Sequence, residues 1–203
     1  MSPRRTPVAP ETLDVREILR RVQSGELDRV TTEALQAYGP ELITWLCSSF
    51  SNEADAYDAF SLMSEDLWRS LSRFDGRCSL RTWCYMLARH ASARVRGRAH
   101  RDREELVSRI PSVAHAVTQM WTTTNRRQQR TDTLFTQLRT ELEDEDQVLL
   151  VLRVDRNLAW RDIAQVLLGE DAAEDEVTRK AATLRKQFER IKAELKARAA
   201  RAR

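Results

Sequence analysis

Apolar residues recur along this chain at steps of three and four, the spacing that places them on one face of an α-helix. In the N-terminal part this pattern predicts a short helix that stops at Gly25 and a second helix that starts near Leu27. Gly39-Pro40 falls inside the second helix, and we expect this pair to interrupt or kink it, because proline lacks a backbone N–H. The apolar pattern then resumes and continues to Phe50.

Two further helices are predicted before residue 98. Asn52 and Ser79 stand near their starts, and each side chain can accept a hydrogen bond from a free amide of the first turn. The third helix has a polar outer face opposite its apolar residues. The fourth has an apolar stripe, which includes Trp83, and a second stripe that is polar and basic: Arg81, Tyr85, Arg89, Ser92 and Arg96.

The basic stripe of the fourth helix has two interpretations. Guanidinium groups suit phosphates, and the Tyr85 ring suits an unstacked base, so the stripe could hold single-stranded DNA. Alternatively, it is only the solvated face of a core helix. The stripe alone does not separate these alternatives.

The C-terminal part predicts a second helical unit. Residues 99–131 differ in character from the parts on either side, and residues 122–130 among them lack apolar periodicity. We expect a linker there, either without helices or with short ones around Leu106 and Val117, since so long a loop is uncommon inside a compact domain. A helix is predicted over residues 134–142. Residues 148–152 are apolar throughout, as in a buried strand, but the acids before them favour the start of a helix. A short helix that ends at Gly169 and a long helix around Val177 and beyond complete the unit.

The composition favours an all-α protein. The chain has only five Gly and five Pro, and alternating β patterns are scarce. No apolar run approaches the roughly 20 residues that a membrane span needs. The first ten residues contain two arginines with no apolar signal core behind them. We therefore expect a cytoplasmic protein without membrane insertion.

Charge is divided sharply within the second unit. Residues 139–176 hold twelve acids and four arginines, a net charge of −8, whereas residues 179–203 hold ten bases and two acids, a net charge of +8. A short helix, a turn and a basic helix follow one another, which is the arrangement of a helix-turn-helix that reads a DNA groove. An ordinary helical hairpin with a basic exterior has the same pattern.

Nothing in the sequence indicates catalysis. The cysteines, Cys47, Cys78 and Cys84, form no CxxC pair, and with the three histidines they give no usual zinc spacing. There are no paired carboxylates, no nucleophile with its base and no phosphate-cradling GxxxxGK[ST] motif. We expect reduced thiols, no enzyme activity, no metal and no cofactor.

The two units together resemble the extracytoplasmic-function (ECF) group of sigma-70-type initiation factors. In the first unit the resemblance rests on Leu19-x-x-Val22-x-x-Gly25, Tyr38-Gly39-Pro40, Ala56-x-Asp58, Leu67-Trp68, Phe74-Asp75 and Trp83-x-Tyr85-x-x-Ala88-Arg89. In the second it rests on Leu152, Leu158-x-Trp160-x-Asp162-Ile163-Ala164 and Val177. Each motif alone is degenerate. The resemblance rests on the order of the motifs along the chain, in two groups separated by a linker of the right size.

The resemblance implies two small helical domains and a flexible linker. The expected boundaries are a disordered N-terminus (1–12), a region 2 domain (13–98), the linker (99–131) and a region 4 domain (132–203). In this family, region 2 binds the clamp helices of the polymerase β′ subunit and opens the −10 promoter element. Region 4 binds the β flap and reads the −35 element. The implied partners are thus core RNA polymerase and promoter DNA, and anti-sigma factors are common in the family.

The resemblance gives roles to three sets of residues. The clamp set, which we expect on the outer face of the third helix, comprises Asp55, Asp58, Ser61, Leu62, Glu65 and Arg69. The −10 set comprises Phe74, Arg77, Ser79, Arg81, Tyr85, Arg89 and His90. The −35 set on the last helix comprises Thr178, Arg179, Lys180, Ala182, Arg185 and Lys186.

Some positions depart from the family pattern. Ser61 and Leu62 stand where glutamine and an acid are usual, and His90 stands where asparagine is common. Lys180 replaces a usual arginine of the recognition helix. The turn of the helix-turn-helix, residues 170–176, is longer and more acidic than usual. We therefore expect a divergent promoter sequence.

Two rival functions are consistent with the same sequence. A free-standing helix-turn-helix regulator would bind DNA without polymerase. In that case the basic stripe of the fourth helix would have no assigned function. A helical adaptor would bind only protein, and its basic faces would be merely solvated. Binding to core polymerase and salt-sensitive binding to DNA separate these alternatives.

Overall fold

The computed structural model describes residues 13–50, 52–98 and 142–201. All the regular elements in these ranges are helical, as the sequence predicts: α1 Val15–Gln23, α2 Leu27–Ser49, α3 Glu53–Ser70, α4 Leu80–Arg98, α5 Asp144–Leu150, α6 Trp160–Leu168 and α7 Glu174–Arg201. A 3-10 turn, Leu71–Arg73, follows α3, and a π-helical turn, Val151–Asp155, continues α5. The helix expected over residues 134–142 lies almost entirely outside the described residues, as do the linker and the N-terminus.

Short polar side chains start three of the first four helices. The Asp14 carboxylate accepts a hydrogen bond from the Arg16 amide, and the Asn52 side chain accepts one from the Ala54 amide at 3.0 Å. The Ser79 hydroxyl accepts one from the Thr82 amide, also at 3.0 Å. The predicted caps Asn52 and Ser79 are therefore confirmed, and each satisfies an amide that the first helical turn leaves free.

Helix α2 runs through Pro40 without a break. Of the two outcomes expected at Gly39-Pro40, an interruption or a kink, the interruption is therefore wrong. A proline inside a helix costs about 3 kcal/mol, but α2 buries large side chains on both sides of it, including Tyr38 and Leu42, which have no exposed surface. Full burial of one such side chain stabilises by about 1.5–3 kcal/mol. Packing on both sides of the proline thus holds α2 in one piece.

Helices α2, α3 and α4 pack against one another, and α1 lies against α2 and the 3-10 turn. The chain turns back towards α4 at Gly76, whose φ angle of +77° favours glycine. A Cβ at this position would lie 2.8 Å from the Leu19 Cδ1 atom of α1. Gly76 thus lets the loop before α4 pass close to α1.

Residues 148–152 are helical, so the choice of helix over strand is confirmed. The π-helical turn closes where the Arg156 amide donates to the Val151 carbonyl at 3.0 Å. Helix α6 ends at Gly169, which has a φ angle of +100°. Helix α7 already begins at Glu174, so the turn is shorter than the expected 170–176, and three of its acids belong to the first turn of α7.

The two parts of the chain pack against each other. Helix α6 contacts α7 on one side and α4 on the other. One cluster of buried apolar residues includes members of both parts, such as Trp83 of α4 and Ile163 of α6. This contact involves α4, which carries several residues of the predicted −10 set, and α6, which packs against the helix of the predicted −35 set.

Candidate nucleic-acid interface

The face of α4 that carries Arg81 is covered. The Arg81 side chain is only 13% exposed and donates to both carboxylate oxygens of Glu41, at 2.6 and 2.7 Å. It also donates to the Arg156 carbonyl at 2.9 Å, which ties α4 to the turn before α6. Burial alone would lower the pKa of Arg81, but the hydrogen bonds and charge of Glu41 outweigh it and raise that pKa. Arg81 is therefore a charged residue that is largely buried in the contact between α4 and the turn before α6.

Tyr85 lies fully buried beneath the same contact. Its ring packs edge-on against Trp45 at a centroid distance of 5.4 Å, and the Arg81 guanidinium lies 5.9 Å from its centroid. The Tyr85 hydroxyl has no hydrogen-bond partner among the described residues. Burial, with the negative charge of Glu41 added, raises the pKa of this hydroxyl. In this arrangement no face of the ring is free to stack on a base.

The basic stripe of α4 is thus divided. Ser92 is buried and donates to the Ala88 carbonyl at 2.8 Å. Arg89 and Arg96 are exposed, and so is His90. The expectation that all five stripe residues face solvent is wrong for Arg81, Tyr85 and Ser92, because α2 and α6 pack on their side of α4.

The loop before α4 holds the remaining −10 residues. Phe74 is buried and packs edge-on against Trp83 at 5.5 Å, so the predicted core role of Trp83 is confirmed. Ser79 caps the helix, and its hydroxyl lies 2.8 Å from that of Thr82. Arg77 is exposed, pairs with Asp75 at 2.6 Å and donates to the Glu170 carbonyl at 3.3 Å. Arg77 is thus a second link between the two parts.

The predicted −35 set, in contrast to Arg81 and Tyr85, lies mainly at the protein surface. Its members Thr178, Arg179, Ala182, Arg185 and Lys186 are exposed, and Lys180 is half-buried. The residues between them that face the core, Val177, Ala181 and Leu184, are buried. Helix α7, which follows α6 after a turn that begins at Gly169, therefore presents a basic face to solvent.

An acid in the first turn of α7 pairs with an arginine of α6. Arg161 of α6 forms a bidentate ion pair with Glu174 in the first turn of α7. The hydrogen bonds from Arg161 lower the pKa of Glu174. The neighbouring Asp175 pairs with Arg179 at 2.9 Å. Two of the three acids in the first turn of α7 are thus paired with arginines.

The clamp set lies along α3. Asp58 and Arg69 are exposed, whereas Asp55, Ser61 and Glu65 are half-buried. Leu62 is only 5% exposed, so its expected place on the outer face is wrong. Because α3 packs against both α2 and α4, its buried arc is wider than a single apolar stripe and takes in this leucine.

The structure brings together two residues that were assigned to different promoter elements. Arg89 of the −10 set and Lys180 of the −35 set line the same cavity between α4 and α7. Sequence reasoning missed Glu41 and Arg156, the two partners of Arg81. The only local signal for Glu41 is a charged residue beside the apolar run that follows Pro40, and its partner lies 40 residues away.

Two of the three thiols, those of Cys78 and Cys84, lie where ionisation is disfavoured. Cys84 is buried, and burial raises the pKa of its thiol. Burial, with the charges of Asp162 and Asp75 added, raises the pKa of Cys78 to about 12. Among the described residues, no group of histidine, cysteine and acidic side chains could hold a metal ion. Within the same ranges, every helix is too short or too polar to cross a bilayer.

No family model matches the chain, and no curated protein matches it.

Proposed function

We propose that this protein is a sigma factor of the ECF type, which binds core RNA polymerase in the cytoplasm and directs promoter recognition and melting. The observation that carries the proposal is the exposed basic face of α7, which follows α6 after a turn, in the same chain as a helical unit with an exposed acid, Asp58, on α3. A basic helix of this kind suits phosphates and guanine edges in the major groove. An exposed acid on a rigid helix suits a basic surface on a protein partner.

In this proposal, promoter opening is driven by binding energy. Extruding a base from a duplex costs a few kcal/mol. One stacking contact returns about 1–3 kcal/mol, and a bidentate arginine contact returns a similar amount. Contacts with Arg89, the loop before α4 and an uncovered Tyr85 would therefore be enough to trap an opened base.

The proposal requires the two parts of the chain to separate on DNA. Elements centred near −10 and −35 lie about 25 base pairs apart, which is about 85 Å of B-DNA at about 3.4 Å per base pair. The long helix α7 has 28 residues and spans only about 42 Å. Because Arg89 and Lys180 line one cavity, they cannot reach both elements in this arrangement. We infer that polymerase binds a form in which α4 no longer contacts α6.

Equilibrium binding to purified bacterial core RNA polymerase tests this function. The Asp58→Lys variant should weaken binding by about ten-fold or more, because it places a cation where an acid faces a basic partner. Glu17→Lys makes the same charge change on an exposed part of α1 and should leave the affinity unchanged. No binding by the wild-type chain, or an equal loss in both variants, would contradict the proposal.

A free-standing DNA-binding regulator is the second candidate. The observation that favours it is that the α7 face is exposed as it stands, whereas Tyr85 is covered. This candidate predicts specific, salt-sensitive binding to duplex DNA by the chain alone. The sigma-factor proposal instead predicts that specific binding arises only with polymerase present.

A further inference from the structure

A cavity of about 220 Å³ lies where α2, α4, α5, α6 and α7 meet. Its apolar lining with accessible surface comprises Val148 of α5 and Leu167 and Leu168 of α6. A cavity of about 150 Å³ lined by apolar side chains is large enough for benzene. This cavity therefore has room for one or two fused aromatic rings.

The charged side chains around the cavity favour an anion. Arg89, Arg96 and Lys180 contribute cations to the lining, and Glu145 contributes one acid. Arg96 is already engaged, because it donates to the Ser49 carbonyl at 2.9 Å. Among the described residues, neither Arg89 nor Lys180 has an ion-pair or side-chain hydrogen-bond partner. A ligand that binds these two cations, one on α4 and one on α7, would therefore displace no partner among the described residues.

We propose that this cavity is a binding site for a small aromatic anion, with the ring against Val148 and Leu168 and a carboxylate between Arg89 and Lys180. A guanidinium offers paired donors that match the two oxygens of a carboxylate, and the lysine adds a second positive charge. The apolar walls take a ring that water solvates poorly. An acid with one or two fused rings combines both requirements.

A ligand in this cavity would also favour the arrangement in which the two parts of the chain are in contact. Arg89 belongs to α4 and Lys180 to α7, so a ligand that touches both binds only while the two parts are together. A ligand that binds one of two arrangements shifts the population towards that arrangement. The binding itself does not depend on the proposed sigma-factor function, and regulation of polymerase binding would follow only if that function also holds.

Isothermal titration calorimetry on the full chain tests the site, with 2-naphthoate as the anionic probe and 2-naphthamide as its neutral counterpart. We expect naphthoate to bind at least about ten-fold more tightly than the amide, because only the anion gains charge-assisted hydrogen bonds. The double variant Arg89→Gln with Lys180→Gln should bind both compounds equally. Lys196→Gln removes an exposed cation further along α7 and should keep the wild-type preference.

Hydrogen exchange in the same samples locates the site. With naphthoate, exchange should slow in both α4 and α7, and the double variant should lose this protection. The proposal is overturned if naphthoate does not bind, if the wild type does not prefer it to the amide, or if Lys196→Gln weakens binding as much as the double variant. Protection confined to only one of the two helices would also overturn it.

Discussion

Helices α4 and α7 carry similar stripes of arginine, yet one is covered and the other is open. Arg81 and Tyr85 of α4 lie inside the contact with α2 and α6, whereas Arg179 and Arg185 of α7 face solvent. The difference lies in the neighbours of each helix. Helix α4 packs against α2, α3 and α6, but α7 packs mainly against α5 and α6. A basic stripe therefore tells which residues share a face, and only the tertiary contacts tell whether that face is free.

The largest expected effect is at Tyr85, on the covered face. Tyr85→Ala should destabilise the fold by about 3–5 kcal/mol, because it empties a fully buried site next to Trp45. Tyr85→Phe keeps the ring and removes a hydroxyl that has no partner among the described residues, so stability should stay the same or rise by about 1 kcal/mol. Urea unfolding measures both. An equal loss in the two variants would show that the hydroxyl has a partner after all.

The next effect compares a covered ion pair with an exposed one. Arg81→Ala should cost about 3 kcal/mol, because it leaves the Glu41 carboxylate poorly solvated and without its partner. Arg179→Ala breaks a pair whose two side chains are each 72% exposed, and it should cost less than about 0.5 kcal/mol. Both variants can be measured by urea unfolding at neutral pH. Similar losses would mean that Arg81 is more exposed than the contact with Arg156 indicates.

The turn between α6 and α7 depends on Gly169. Its φ angle of +100° with an extended ψ is a conformation that residues with a side chain rarely adopt, so Gly169→Ala should cost about 1–3 kcal/mol. The matched control is Gly97→Ala in α4, where an added Cβ meets nothing and the helix should gain about 0.5 kcal/mol. Thermal unfolding of the two variants should therefore shift in opposite directions. Stabilisation by Gly169→Ala would contradict the turn geometry.

The smallest effect concerns pH and the loop before α4. The Cys78 thiol has an ordinary pKa of 9.0 and a pKa of about 12 in the fold. A pKa raised by folding gives stability that is fully present below pH 9 and is lost as the pH rises towards 12. Between pH 9 and 10 this loss should be at most about 1 kcal/mol.

Cys78→Ser isolates the contribution of this thiol. The variant should lose stability less steeply above pH 9 than the wild type, with urea midpoints as the readout. Parallel curves for the two proteins would show that the Cys78 thiol ionises as easily in the folded state as in the unfolded one.

Much of the helical structure could be predicted from the sequence, since apolar spacing and caps act over short distances. Asn52, Ser79 and Gly169 mark helix ends as expected. The unbroken path of α2 through Pro40 could not be predicted, because side chains packed from other helices offset the cost of the proline. Local sequence contains no record of those partners.

The candidate site could be predicted only in part, for the same reason. The exposure of Arg179 and Arg185 follows from the periodicity of α7 alone. The burial of Tyr85 depends on Trp45, Arg81 and the turn at Arg156, which are far apart in the chain. The burial of Leu62 likewise depends on α3 having helices on two sides. Pairings of this range leave no signal in a single sequence.

In vitro transcription with purified core RNA polymerase is the most direct test of the central claim. The template is a library of genomic fragments, and an established sigma factor in a parallel reaction shows that the polymerase is active. We expect transcripts that appear only when this protein is added and whose start sites share upstream sequence elements. Transcription no higher than that of core polymerase alone would contradict the account.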